Sequence, residues 1–600
     1  MVHWEVRTCV ILDKGGDMPQ SRQIKEQMKR VLDVATGRQE ADLCITGAHI
    51  LDVYNKEWFS SDLLIADGLI CGFAKSGKGR GKEVVDAKGK YLLPGFIDAH
   101  VHIESSHSTP EEFSNLVVPC GTTTVVADPH ELCNVTGLAG LDYMIRATEN
   151  TPLQAFFMVP SCVPSTEFEN SGAVLHAPEI AKRIGHDRVL GLGEMMDYPG
   201  IIAGNDLVLD KILEARKVGK PTDGHSPAIF GSDLDAYAST GIRTDHECET
   251  AEELHSRVRR GMYVMLREGS ACKNVLGLLG GVTPSNSRRC LFCTDDRQPK
   301  SILKDGHINN NVRIAVSDGL DPIEAICMAT INSSECYNLK DRGGIAPGLR
   351  ADLVLCNDLT DFSMSRVYIG GELVARDGQI LTKIPPHHDK KVSGKMHVKG
   401  FSVSRFELPL KKSHVRIIDI VAGGVVTKAG EAEVKLEEGK WVHDPDVDIV
   451  KLAVIERHKG TGNMSVALIR GLGLKGGAIV SSVGHDSHNI VVAGDNDQDM
   501  AFAVEHLIRL GGGMALVKDG KVLASLALPI GGLMSDKSSL EIAKALDNLH
   551  EVGQEEFSLP KDLDAFTTLS FMALPVIPAY KLTDIGLFDV SSFSFVPLEL

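Results

Sequence analysis

No stretch of the 600 residues reaches about 18 uninterrupted apolar positions, so a membrane-spanning helix is not expected. The opening Met1-Val2-His3-Trp4-Glu5-Val6-Arg7 lacks the basic and apolar regions of a secretory signal. A disulfide framework is missing too: the 13 cysteines are odd in number and scattered without regular spacing. Together these absences predict reduced thiols and a cytoplasmic protein. Positive charge is in short supply. Lys+Arg 63 against Asp+Glu 80 leaves a net charge of −17, which argues against nucleic acid or another polyanion as the main partner. Long repeats and low-complexity tracts are absent as well. What is there is ordinary globular material, 43% hydrophobic and 24% charged, enough to bury at least one large core. At about 150 residues per domain the length allows about four domains, or fewer if one is a large barrel.

The texture changes along the chain. Residues 1–40 read as a polar, helical leader. From Ala41 short strands take over, with Asp67-Gly68 marking a hairpin between apolar runs. Similar strands return at Ala351–Leu355 and Val367–Val374, so 41–94 plus 346–390 predict one small β-sandwich made from both flanks of an insert. The insert, 95–345, alternates apolar strands such as Thr123–Ala127 with helical segments such as Val208–Val218. Its length and alternation fit a (β/α)₈ TIM-like barrel. Asp321-Pro322 reads as a helix cap followed by a first-turn proline. A hydrophilic connector, Ile384–Lys391, leads to a further strand-rich α/β block, 395–600, with an amphipathic helix near Met500–Leu510. The predicted fold class is therefore α/β.

The most informative peptide is Leu93–Glu104, an apolar strand ending in His100-Val101-His102. Positions i and i+2 of a strand share a face, so both imidazoles can point into a barrel mouth. Imidazole is a common ligand for Zn, Fe and Mn. Alone, the pair is only suggestive. Four later strand ends add Glu194, His225, His246 and Asp295 with its neighbour Asp296. Catalytic groups of such barrels gather at the C-terminal ends of strands. Four histidines and two carboxylates there predict a metal site, because unpaired buried polar groups would each be costly.

These peptides, PGFIDAHVHIESS (94–106), CGTTTVVADPHE (120–131), GLGEMMDYPG (191–200), DGHSPA (223–228), TDHE (244–247) and CTDDR (293–297), resemble the amidohydrolase superfamily, and more closely its bacterial adenine deaminases. Gly484–Asn489 and Ile577–Asp584 are similar to that family too, so the resemblance covers about residue 40 onward. It implies two divalent metal ions, Mn²⁺ or Fe²⁺ with Zn²⁺ as an alternative. His100 and His102 would hold the more buried ion, His225 and His246 the more exposed one, and Glu194 would bridge them. Asp295 would bind metal and shuttle protons, with Asp296 as its rival. The implied reaction is hydrolytic deamination of adenine to hypoxanthine and ammonia, by hydroxide held between the ions attacking C6. The acid that protonates the purine ring is left open between Glu131 and Glu247. The superfamily habit implies a homo-oligomer, a dimer or tetramer.

Some signals carry less. Cys290 and Cys293 imitate a zinc-deaminase motif, but i and i+3 on a strand face opposite ways. Gly471–Gly476 satisfies a dinucleotide fingerprint but is followed by a strand-like run instead of a helix. His387 and His388 read as solvated. His458 is not assigned. His485, Asp486 and His488 are candidate substrate contacts in an active-site lid. The alternative activity is a cyclic-amide hydrolase of the dihydroorotase or allantoinase kind. The absence of a lysine at the Glu194 position counts against it. A scaffold that has lost catalysis should have lost ligands, and all six are filled.

Overall fold

The computed structural model describes residues 20–421 and 426–600. At its centre eight strands form a ring. β1 (Phe96–His102), β2 (Thr122–Ala127), β3 (Gln154–Val159), β4 (Val189–Met195) and β5 (Thr222–Gly224) run parallel in chain order. β6 (Thr244–Asp245), β7 (Tyr263–Arg267) and β8 (Cys290–Cys293) continue in parallel. Two seams close the ring. Thr222 bridges Ile242 in parallel, and Asp295-Asp296, just beyond β8, pairs with Val101 and His102 of β1.

Parallel neighbours need crossover connections, which here are helices. Asp206–Lys217 returns from β4 to β5; Asn205 accepts the Leu207 N–H at 2.9 Å, and Arg216 and Lys217 sit in the last turn. The Asp321 carboxylate caps the helix Pro322–Met328 through the Ile323 and Glu324 N–H groups, as its sequence predicts. Alternation along the strands separates two apolar sets. Ala99, Val126, Phe156, Met158, Met265, Leu291 and Cys293 fill the barrel; Val101, Val125, Phe157, Val264, Cys290 and Phe292 join the surrounding core. The two cysteines of β8 therefore face opposite ways.

The small sandwich draws on both flanks. One sheet holds Leu69–Ala74, Asp62–Ala66, Ala41–Thr46 and Gly81–Asp86. The other runs from Gln379–Ile380 through Met364–Ile369, Leu353–Cys356 and Tyr91–Pro94 to Glu57–Ser60. Leu43, Ile45 and Leu63 meet Ile50, Leu92, Leu353 and Leu355 between them. The Asp67-Gly68 turn has φ of 50° and 76°. Both values lie in the left-handed region that such a hairpin demands. The segment expected to be a leader behaves differently. Its helix, Gln20–Ala35, packs Val31 and Val34 against Cys44, Leu64, Ala66 and Cys71, covering the outside of the first sheet. Residues 1–19 of that expectation lie outside the described residues.

The connector is docked onto the barrel instead of hanging free. Ile384 exchanges hydrogen bonds with the Asn115 side chain, the His387 N–H donates to Glu111 at 2.8 Å, and Asp389 pairs with Arg146 at 2.6 Å. The His387 and His388 side chains are exposed. Beyond lies an eight-stranded sheet, from Thr427–Glu433 at one edge to Lys521–Ala527 at the other. Helix Asp497–Leu510 covers one face with Met500, Ala503, Val504 and Leu507. The other face, with Ile479, Val491 and Leu516, merges through helix Ser539–Phe557 into the core around the barrel. Gly471–Gly476 is a turn between strands Met464–Arg470 and Ala478–Ser481. Among the described residues no helix is long and apolar enough to cross a membrane.

Candidate active site

The C-terminal end of the barrel gathers the six residues singled out as ligands. His100 and His102 leave β1 on one face, their Nε2 atoms 3.1 Å apart. Glu194, at the end of β4, lies across the cluster. Its Oε1 is 3.3 Å from His102 Nε2 and 3.8 Å from His100 Nε2; its Oε2 is 2.7 Å from His225 Nδ1 and 3.3 Å from His246 Nε2. Asp295 Oδ1 stands 3.0 Å from His102 Nε2 and 3.7 Å from His100 Nε2.

Buried partners fix these positions. Asp98 Oδ1 accepts the N–H groups of His100 (3.2 Å) and Thr294 (3.1 Å), tying β1 to the strand end that carries Asp295. Arg257 and Asp245, both fully buried, pair at 3.0 Å, and Asp245 also accepts the N–H groups of Ser226 and Glu247. Those bonds bracket His225 and His246. Asp128 accepts the Glu194 N–H at 2.9 Å through its carboxylate. Asp295 itself has φ of 56°, an uncommon conformation for a non-glycine residue that costs about 1 kcal/mol or more and is kept where its surroundings enforce it.

The electrostatics follow from this crowding. Burial would raise the Glu194 carboxyl, but His102, His130, His225 and His246 hold it well below the usual range. Burial, with His246 and His102 nearby, keeps His100 neutral. Burial opposes charge on Asp295 as well; Arg267, 2.7 Å away, and His102 overcome it and keep it ionised. Asp296 goes the other way, raised by burial and by Asp295, and takes a hydrogen bond from Ser105.

The donor set fits divalent metal ions. His102 Nδ1 faces the Asp128 carbonyl at 2.8 Å and must donate to it, which leaves Nε2 as the ring atom turned to the cluster. Ionised carboxylates packed this closely call for positive charge among them, which divalent ions would supply in place of imidazole protons. His100/His102/Glu194, Glu194/His225/His246 and His100/His246/Asp295 each bring three ligand atoms within 4.8 Å of one another. Imidazole with carboxylate suits Mn, Fe or Zn.

Beside the cluster a pocket opens between the barrel and the C-terminal sheet. Ser105, Glu131 and Asp296 line it from the barrel; His485, Phe566 and Phe571 line it from the other side. His485 stacks on Phe571 with centroids 4.5 Å apart. Glu131 receives His485 Nδ1 at 2.8 Å on one oxygen and His488 on the other. Burial would raise this carboxyl; the two imidazoles hold it well below the usual range. His485 in turn is raised to about 9, burial being outweighed by Glu131. Glu247 is bound to Arg267 and lies outside the pocket lining. Asp486, a candidate substrate contact, is buried and is not among the residues lining the pocket; its carboxylate lies within electrostatic reach of Glu131, His130 and His485 as well as of Glu169.

Sequence reasoning passed over three participants. His130 sits 3.2 Å from Glu194 Oε1. Arg267 is the charged end of the apolar run of β7, a signal of the same kind as the other strand ends. Phe571 carries no local mark at all, since it ends a short helix, Ala565–Phe571, far along the chain.

Comparison with known proteins adds the lineage. Residues 91–374 match the model of the amidohydrolase family, and 424–594 that of the adenine deaminase C-terminal domain. Adenine deaminase 2 of Desulfotalea psychrophila is 51% identical over 576 residues, 96% of this chain and 100% of that protein. The chain belongs to the adenine deaminase family. The adenine deaminase of Nitratidesulfovibrio vulgaris (strain DP4) is 50% identical over 565 residues, covering 94% of this chain and 98% of its own. Among solved structures, dihydropyrimidinase from Brevibacillus agri aligns with a TM-score of 0.44 at 13% identity, over 57% of this chain and 96% of that one. Membership of the adenine deaminase family thus rests on both halves of the chain.

Proposed function

We propose that this protein hydrolyses adenine to hypoxanthine and ammonia. One observation carries the reading: in a chain similar to adenine deaminases over nearly its whole length, Glu194 turns one oxygen to the His100/His102 pair and the other to His225/His246. Two divalent ions, Mn²⁺ or Fe²⁺ with Zn²⁺ as the alternative, would be held by those five residues and Asp295. Bound there, they would lower the pKa of water and so supply hydroxide at neutral pH.

The chain's own groups supply the remaining chemistry. Asp295, kept ionised by Arg267, accepts the proton of the attacking oxygen and delivers it to the amine that leaves C6 as ammonia. The ring nitrogen next to C6 takes its proton from the Glu131–His485 pair, which faces the pocket and carries one proton at neutral pH. Glu247 is a poorer donor, since Arg267 holds it ionised. Phe571 and His485 offer a flat wall for a purine. A glutamate in place of a bridging lysine disfavours the cyclic-amide alternative.

Purified protein supplied with Mn²⁺ should release ammonia from adenine and leave dihydroorotate untouched. Chelation should abolish the activity and Mn²⁺ restore it, with two ions per chain in the wild type and at most one in Glu194→Gln. Metal-replete protein that leaves adenine unchanged would overturn the reading. The cytoplasmic location and a dimer or tetramer belong to the same proposal; sedimentation of the purified protein reads out the latter.

A further inference from the structure

Arg457 is fully buried, and among the described residues no carboxylate contacts its guanidinium. The adjacent Glu456 spends its oxygens on the N–H groups of His458, Lys459 and Thr461 and on the Thr461 hydroxyl. Arg457 donates only to backbone carbonyls. Nε reaches His488, Nη1 reaches Lys395 at 2.8 Å, and Nη2 reaches Gly531 at 2.8 Å and Ser482 at 3.4 Å. A buried cation that meets only neutral acceptors is expensive, and an apolar side chain would pack there at less cost. The next residue makes a related contact: His458 Nε2 lies 2.7 Å from the Ser487 carbonyl and must be its donor.

Two successive side chains thus hold two successive carbonyls of one loop, Gly484–Asn489. From that loop His485 and His488 grip the two oxygens of Glu131. The Gly531 carbonyl belongs to a second pocket segment: Leu533 lines the pocket, and its carbonyl accepts from His107 Nδ1 at 3.1 Å. We propose that Arg457 and His458 are positioning residues of the deamination site, clamping the His485–His488 loop so that Glu131 is held at the pocket wall. The inference rests on the reading that this pocket takes adenine. Neither side chain touches that pocket; both act through the loop. Arginine is required because its fork spans carbonyls from four segments, whereas a lysine concentrates its donors on one atom.

The test uses the metal-loaded full chain and the variants Arg457→Lys, His458→Leu and His458→Gln. Gln can still donate to the Ser487 carbonyl; Leu cannot. Arg457→Lys and His458→Leu should each lower kcat/KM for adenine at least tenfold with metal content unchanged, while His458→Gln stays within about threefold of wild type. Combining His458→Leu with His488→Gln should cost less than the product of the single losses, since both act on one loop. Amide hydrogen exchange in 484–489 should accelerate in Arg457→Lys and His458→Leu and not in His458→Gln. Normal turnover in His458→Leu, equal losses in Leu and Gln, or unchanged exchange would overturn the clamp. If Arg457→Lys fails to fold, the His458 pair decides. A wild type without adenine turnover would sink the functional reading alone, and the exchange measurement would still judge the clamp.

Discussion

The two sides of the pocket are built by different rules. On the barrel side the candidate metal ligands stand at the ends of parallel strands, and buried polar groups such as Asp98 and the Arg257–Asp245 pair fix the spacing between strand ends. On the C-terminal side the wall is made of a loop and the end of a short helix, His485, His488 and Phe571, held by backbone carbonyls and by stacking. A strand end offers a side chain at a fixed angle from a rigid sheet, which suits metal ligation, where tenths of an ångström matter. A loop wall adapts to a flat ligand, which suits recognition. The difference assigns metal ligation to one side and fit to the other, with the Glu131–His485 pair joining them, and it can be broken by experiment.

The largest effect should come from the barrel side. Asp295→Asn keeps the size of the side chain but cannot accept a proton, so kcat should fall by about 10²–10⁴-fold with KM little changed. Turnover and metal content measured on the same preparation separate proton transfer from ligand loss, and Asp296→Asn serves as the control. A dead Asp296→Asn beside an active, metal-replete Asp295→Asn would move the chemistry to the neighbouring carboxylate.

A middling effect of the opposite kind is expected from the facing wall. Aromatic stacking on a nucleobase is worth about 1–3 kcal/mol, so Phe571→Ala should raise KM for adenine about tenfold while kcat and metal content hold. Steady-state kinetics decide it. A fall in kcat without a rise in KM would erase the division of labour between the two sides.

The smallest effect concerns stability. His550, raised by Asp564, contributes stability that is present below about pH 6.5 and lost as pH rises through its folded pKa. Asp564, lowered to about 2 despite burial by its bond to His550, contributes stability that is present above about pH 3.8 and lost as pH falls through 2. The pair therefore helps most between about pH 4 and 6.5. Asp564→Asn keeps a cap for the Thr567 N–H and should lower Tm by at most about 2 °C near pH 5, and less at pH 8.5, as befits a half-exposed pair. A larger loss at pH 8.5 would show that the cap, not the charge pair, matters.

The same contrast explains what could be read from the chain before its fold. The barrel, the flank-built sandwich and the cluster of candidate ligands were legible because period-2 runs ending in His, Glu or Asp carry their own location. His100 and His102 announce a shared face by spacing alone. Phe571 cannot be found this way, for nothing near it in sequence resembles a site; only the sheet beyond residue 395 brings it to the barrel mouth. The Gly484–Asn489 loop makes the same point: a loop does not declare which of its side chains reach the pocket lining, and here His485 and His488 do. The helix Gln20–Ala35 looked like a polar leader because Val31 and Val34 form too thin a stripe to predict a partner.

The sandwich carries one more consequence, and it concerns time. Its first flank ends at Pro94 and its second begins at Leu353, so the strands Leu353–Cys356 and Tyr91–Pro94 pair across about 260 residues of insert. At a synthesis rate of about 5–20 residues per second, the early strands wait roughly 13–50 seconds for their partners. During that interval Ile50 and Leu92 lack the apolar neighbours Leu353 and Leu355 that later bury them. The helix Gln20–Ala35, made before either flank, is already at hand to cover the far face of the first sheet. Half of the nascent sandwich is shielded from birth, and the other half depends on the barrel folding promptly between its two edges.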